Sequence, residues 1–139
     1  MADGVSKLIQ FYRGEGRDAA GRTIEEIWAW DHRHLEMVHD YIQWLFPLPD
    51  ASRFNPDAPR LTATDADRFR ADADLQGRLS RSRDLMLRFY GLHHDGAAVT
   101  RAADFADRVS VWLTPLNHNH LRITRMLLSM GYLGQGPVV

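Results

Sequence analysis

The ten residues His39-Asp40-Tyr41-Ile42-Gln43-Trp44-Leu45-Phe46-Pro47-Leu48 constrain this chain more than any other stretch. Large apolar side chains dominate them, His39, Asp40 and Gln43 are threaded between, and a proline ends the run. A surface helix has no use for so many large side chains, and a plain core helix has no use for the polar trio. The run therefore reads as a buried helix carrying specific polar partners. Placed on a wheel at about 100° per residue, positions 32–46 gather Leu35, Val38, Tyr41, Ile42, Leu45 and Phe46 in one arc, which Met37 and Trp44 widen. The polar stripe that remains is His32, Glu36, His39, Asp40 and Gln43. It is either the wall of a site or a set of buried hydrogen bonds between helices.

The rest of the chain also has helical signals. No segment alternates cleanly with period two. Ser6 or Asp3 caps a first helix over 7–13. Thr23 and Glu26 form a capping box for a short helix holding Ile24, Ile27, Trp28 and Trp30. Asp31 caps the helix over 32–46. Pro47, Pro49, Pro56 and Pro59 make 47–61 irregular, with Phe54 and Leu61 laid on the core. Thr62 and Asp72 start helices over 65–70 and 73–91. A loop with an Asp95-Gly96 turn follows over 91–100. A helix over 101–113 is expected to point Phe105, Val109, Trp112 and Leu113 inward, and the last helix covers 118–130 with Gly131 as its C-cap. The expected fold is all-α: a single-domain irregular bundle of about six to seven helices spanning 1–139, with its core at 7–131 and a loose tail at 132–139.

The chain's 139 residues suit one domain with a sizeable core. There is no cysteine, which excludes disulfides, thiolate zinc sites and a thiol nucleophile. The formal net charge of −1 argues against a nucleic-acid partner. Lys7 is the only lysine beside sixteen arginines, a bias that fits a GC-rich and so bacterial coding sequence. No signal peptide, membrane span or basic import signal is visible, and a cytoplasmic location is the expectation.

The second polar constellation is Asn117-His118-Asn119-His120-Leu121-Arg122-Ile123-Thr124-Arg125. On a wheel, His118, Arg122, Arg125 and Ser129 make a narrow cationic stripe with apolar residues on both sides. It is either a clamp for a carboxylate or phosphate or an internally paired, partly buried row. His32, Glu36 and His39 share one face at i, i+4 and i+7, a candidate metal set that would need His118 or His120 to complete it. No nucleophile elbow, phosphate loop or dinucleotide fingerprint is present, so neither an enzyme nor a cofactor is indicated.

Several segments together resemble the conserved domain of the opioid growth factor receptor family. They are Phe11-Tyr12-Arg13-Gly14, the Ile24–Asp31 stretch and the Leu35–Pro47 stretch, which ends in His-Asp-Tyr-Ile-Gln-Trp-Leu-Phe-Pro. Further along come the Phe54–Thr62 stretch, the Met86–Gly91 stretch and Asn117–Arg125. The resemblance implies an α-helical domain. In animal members it implies a nucleus-associated receptor for Met-enkephalin that restrains cell growth, and it carries no catalytic residues. The combined reading is a non-enzymatic module that holds a short peptide or anionic small molecule through His39, Asp40, Gln43, Trp44, His118, Asn119, Arg122 and Arg125. The alternatives are a metal protein or enzyme using His32, Glu36 and His39, and a structural or oligomerising helical domain.

Overall fold

Local side-chain caps open five of the described helices. The computed structural model describes residues 6–50, 57–95, 98–115 and 117–135. The Ser6 hydroxyl accepts from the Ile9 amide and opens α1 (Lys7–Tyr12). Thr23 and Glu26 form the expected reciprocal box at the start of α2 (Ile24–Trp28). Asp31 accepts from the His34 amide at α3 (His32–Met37), and Thr62 from the Asp65 amide at α5 (Ala63–Ala71). Asp72 serves the amides of both Asp74 and Leu75 at α6 (Ala73–Phe89), the longest of the described helices.

Three expected helices come out differently. The helix over 32–46 is two short ones, α3 and α4 (Ile42–Leu45), separated by an extended corner at Val38. The helix over 101–113 gives way to α7 (Phe105–Arg108) and one 3-10 turn, Val109–Val111. Its apolar side chains lie at the margin of the core, and Leu113 is 64% exposed. The last helix, α8 (Asn119–Tyr132), runs through Gly131 and turns at Gly134, whose φ of +96° is the left-handed conformation a glycine supplies cheaply.

The fold is also not all-α. The segment 91–100, read as a loop, carries the strand β1 (Leu92–Asp95), which pairs antiparallel with β2 (Ala98–Arg101) in the register Leu92 to Arg101 and Asp95 to Ala98. The described residues hold eight α-helices, the 3-10 turn and this hairpin. The hairpin packs on the end of α6 through Gly91, whose φ is +79°. A Cβ there would stand 2.8 Å from Arg108 Cβ and 3.0 Å from Phe105 Cα, so α7 closes directly over the glycine backbone.

Among the described residues of the Pro-rich connection, Leu48 and Arg60 pair in a parallel bridge, Arg60 Nε donates to the Pro49 carbonyl, and Leu61 is buried. Phe54 lies outside the described residues. The start of the tail is anchored rather than loose. Leu133 is fully buried, and Gln135 donates to the Gln76 carbonyl and the Ser80 hydroxyl.

Aromatic side chains fill the core: Phe11, Tyr12, Tyr41, Phe46, Phe69, Phe89 and Tyr90 are all almost solvent-free. Their polar atoms are satisfied internally, as burial demands. The Tyr12 hydroxyl lies 2.8 Å from the Leu45 carbonyl and 2.9 Å from Ser82 Oγ, and Trp28 Nε1 donates to that same Oγ at 3.0 Å. The single phenolic proton goes to the carbonyl, so the Ser82 hydroxyl donates to Tyr12. One fully buried serine on α6 thus joins α1 and α2, and Tyr12 carries the link on to α4.

Ser82→Ala should therefore cost about 1–3 kcal/mol, because it strands the indole N–H and removes the donor to Tyr12. Urea unfolding read by tryptophan fluorescence checks this; an unshifted midpoint would contradict it.

Candidate functional site

The break between α3 and α4 leaves the carbonyls of a helix end without helical partners. Arg122, only 6% exposed, takes them. Its Nη1 donates to the Leu35 carbonyl at 3.0 Å, and its Nη2 donates to Val38 at 2.9 Å and Glu36 at 3.4 Å. Tyr41, which opens α4, adds its hydroxyl to the Leu35 carbonyl at 2.6 Å. The guanidinium lies 5.6 Å over the Tyr41 ring. A planar five-donor fork suits this task and a lysine ammonium does not.

Three further groups complete the cluster. Asn119 is fully buried; its Oδ1 accepts from Tyr90 and Arg122, and its Nδ2 donates to Glu36 Oε1 and the Val111 carbonyl. Glu36 Oε2 stands 3.3 Å from His118 Nε2, and the His118 ring sits 5.2 Å from that of His39. Arg122 Nη2 is 3.2 Å from His39 Nδ1. Arginine can only donate, so Nδ1 is the acceptor and the proton of the neutral ring sits on Nε2. Burial, then the Arg122 cation and His118, push the His39 pKa below the ordinary imidazole value, against Glu36 and Asp40. Burial raises the Tyr41 and Tyr90 phenols well above theirs.

The cationic stripe on α8 is thus a docking stripe for residues 35–47. One turn beyond Arg122, Arg125 Nε donates to the Phe46 carbonyl at 2.8 Å; one turn further, Ser129 donates to Pro47 at 2.7 Å. Arg125 differs from Arg122 in one respect. Its Nη2 is buried with no hydrogen-bond partner among the described residues, and burial lowers its pKa.

Of the residues read as a site from sequence, the structure brings together His39, His118, Asn119 and Arg122, with Arg125 alongside. Asp40 turns away to Arg22 at 2.9 Å. Trp44 is 5% exposed and packs on Phe11, so it is core. Gln43 is half-buried on α4. The three residues of the metal alternative part company: His32 packs near the Phe89 ring at 5.9 Å, while Glu36 and His39 join the Arg122 cluster. His120 meets the Trp112 carbonyl. Among the described residues no group of three His, Asp or Glu could hold a metal ion. Sequence reasoning missed Tyr41 and Tyr90 as members of the polar cluster, because their positions look purely apolar on a wheel.

Short helices and one hairpin, with a buried arginine pinning the α3–α4 corner, define an irregular, mainly helical domain. The chain matches the opioid growth factor receptor conserved region over residues 5–137 and belongs to that family. It is 39% identical to the rat opioid growth factor receptor over 94% of this chain and 24% of the relative, and 38% identical to the human receptor over 99% and 22%. It is also 39% identical to opioid growth factor receptor-like protein 1 of Xenopus tropicalis over 82% and 23%. The chain thus spans about a quarter of the length of these relatives. No solved structure matches it. Among the described residues no helix is long and apolar enough to cross a membrane.

Two outcomes are expected from the cluster. Arg122→Ala should destabilise the chain by about 2–4 kcal/mol, since several buried acceptors lose their donors at once, and Arg122→Lys should recover little of it. Denaturant midpoints of the two variants check this. His39 and His32 both have depressed folded-state pKa values, each with burial as the leading cause. The unfolded chain then binds more protons near the ordinary imidazole value, so their contribution is present above about pH 6.5 and is lost as pH falls through the folded values. The slope of stability against pH over that window should flatten in His39→Gln; an unchanged slope would contradict the assignment.

Proposed function

We propose that this chain is a non-enzymatic binding module that takes a short peptide, or a small molecule of similar chemistry, by its carboxylate. The carrying observation is the buried Arg125 Nη2, a cationic donor with no partner among the described residues. Such a group is costly to leave unpaired, and a carboxylate gives it a charge-assisted hydrogen bond. Arg122 acts as the positioning residue that fixes the corner at 35–41. His39 and His118, both exposed, and Glu36 form a polar rim beside it. Family membership supports the reading, since the animal relatives carry the name of a receptor. The resemblance to a Met-enkephalin receptor supplies the first peptide to try.

A second reading has its own observation. Arg122 spends its guanidinium donors on three backbone carbonyls, Asn119 and His39, which favours a purely scaffolding role for the α8 stripe.

Calorimetric titration of untagged protein with Met-enkephalin and with its C-terminal amide separates the two. The binding reading expects saturable binding of the free acid, about tenfold or more weaker binding of the amide, and a comparable loss in Arg125→Gln, which keeps a donor for the Phe46 carbonyl. Equal affinity for acid and amide, or no binding, would leave the scaffolding reading.

A further inference from the structure

A groove of about 550 Å³ runs beside the hairpin, and it shares no residue with the Arg122 cluster. Four basic side chains line it: His32 from the start of α3, Arg88 from the last turn of α6, and His93 and Arg101 from the two strands. Its one acidic wall residue is Asp104, and Leu92, Ala102 and Ala103 give it an apolar floor. The volume falls within the range of small-molecule sites, roughly 300–1,000 Å³.

The charge balance is the informative part. The whole chain has a formal net charge of −1, and its other arginines largely pair with carboxylates or carbonyls. Among the described residues Arg88 and Arg101 have no carboxylate within ion-pairing distance. The face of Arg101 lies 4.7 Å over the Phe105 ring, an arrangement that leaves guanidinium edges for hydrogen bonds. Arg108 stands behind, spent on the Phe89 carbonyl and ring, and adds its charge to the field. Burial, Arg108 and Arg88 all lower the pKa of His32, while Asp104 and Asp31 oppose them only in part. Two arginine cations thus bear on one ring at the groove, and an anion there would offset their charge.

We propose that this groove binds a small organic phosphate, with Arg88 and Arg101 on the phosphate oxygens, His32 and His93 as flanking donors, and Leu92, Ala102 and Ala103 seating the organic part. A phosphate dianion offers three oxygens to converging forks, whereas a carboxylate offers two and one charge. The cavity size selects a small molecule over an extended polymer.

The test titrates phenyl phosphate, benzoate and a short phosphoserine peptide into the isotope-labelled, untagged full chain and follows the His32 and His93 ring resonances by NMR. The expected result is saturable binding of phenyl phosphate that shifts both rings, with benzoate and the peptide binding about tenfold or more weaker. Arg88→Gln with Arg101→Gln, both exposed and so compatible with folding, should weaken phenyl phosphate by a similar factor, and Arg70→Gln should leave it unchanged. Non-saturating shifts, equal affinity in the double variant, or benzoate binding as tightly would overturn the proposal. Tighter binding of the phosphopeptide would overturn the small-molecule assignment.

Discussion

The geometry of this protein depends on Arg122. A helix that stops in mid-segment exposes carbonyls that water cannot reach in a core, and the chain has no glycine at 35–41 with which to close a C-cap of its own. The repair comes from 84 to 87 positions away in sequence, from a side chain on the last helix. The α3–α4 corner and α8 are therefore interdependent: neither has satisfied polar groups without the other. Asn119, Arg125 and Ser129 extend the same solution along α8, so this helix meets residues 35–47 through polar groups, while its Met126 and Met130 join the core.

This arrangement explains why some features were legible in the sequence and others were not. Helix starts were legible, because a cap is a local bond: Thr23, Asp31, Thr62 and Asp72 all do what their side chains dictate. The break at Val38 was not. Apolar residues recur at helical spacing on both sides of it, and the donor that permits the break lies more than eighty residues away. The hairpin was hidden for a related reason. Leu92-His93-His94-Asp95 is too short and too polar to announce a strand, and the Asp95-Gly96 turn signal is compatible with either a loop or a hairpin.

The candidate site was legible in part for a physical reason. A narrow polar stripe with apolar residues on both flanks tends to be partly buried, so an inward-facing Arg122 was legible as one of the two readings of His118, Arg122, Arg125 and Ser129. Its partners were not. The sequence left a ligand clamp and an internally paired row both open, and the main partners of Arg122 are backbone carbonyls, which every residue has and no sequence pattern marks. Glu36 stands only 3.9 Å from the guanidinium, a secondary contact beside the carbonyl bonds. Asp40 and Trp44 were drawn into the site by the assumption of a continuous helix; once the chain turns at Val38, one faces Arg22 and the other the core.

The excess of arginine over lysine also acquires a physical content. Arginines lie over aromatic rings at Trp28, Trp30, Tyr41, Phe89 and Phe105, with Arg78 and Arg81 both on Trp28. A guanidinium can stack its weakly hydrated face on a ring and still donate from its edge; an ammonium gives up hydration to do the first and has no fork for the second. Arg22, Arg78, Arg108 and Arg122 each do both, joining a ring to a carboxylate or carbonyl. In a bundle of short helices with little continuous backbone bonding between them, such side chains serve as cross-braces. Arg101 has the ring and, among the described residues, no acceptor at its edge. Arg125 has its carbonyl and one buried nitrogen over. The bracing pattern is thus incomplete at Arg101 and Arg125 among the described residues, and these are the donors on which the two proposed anion sites rest.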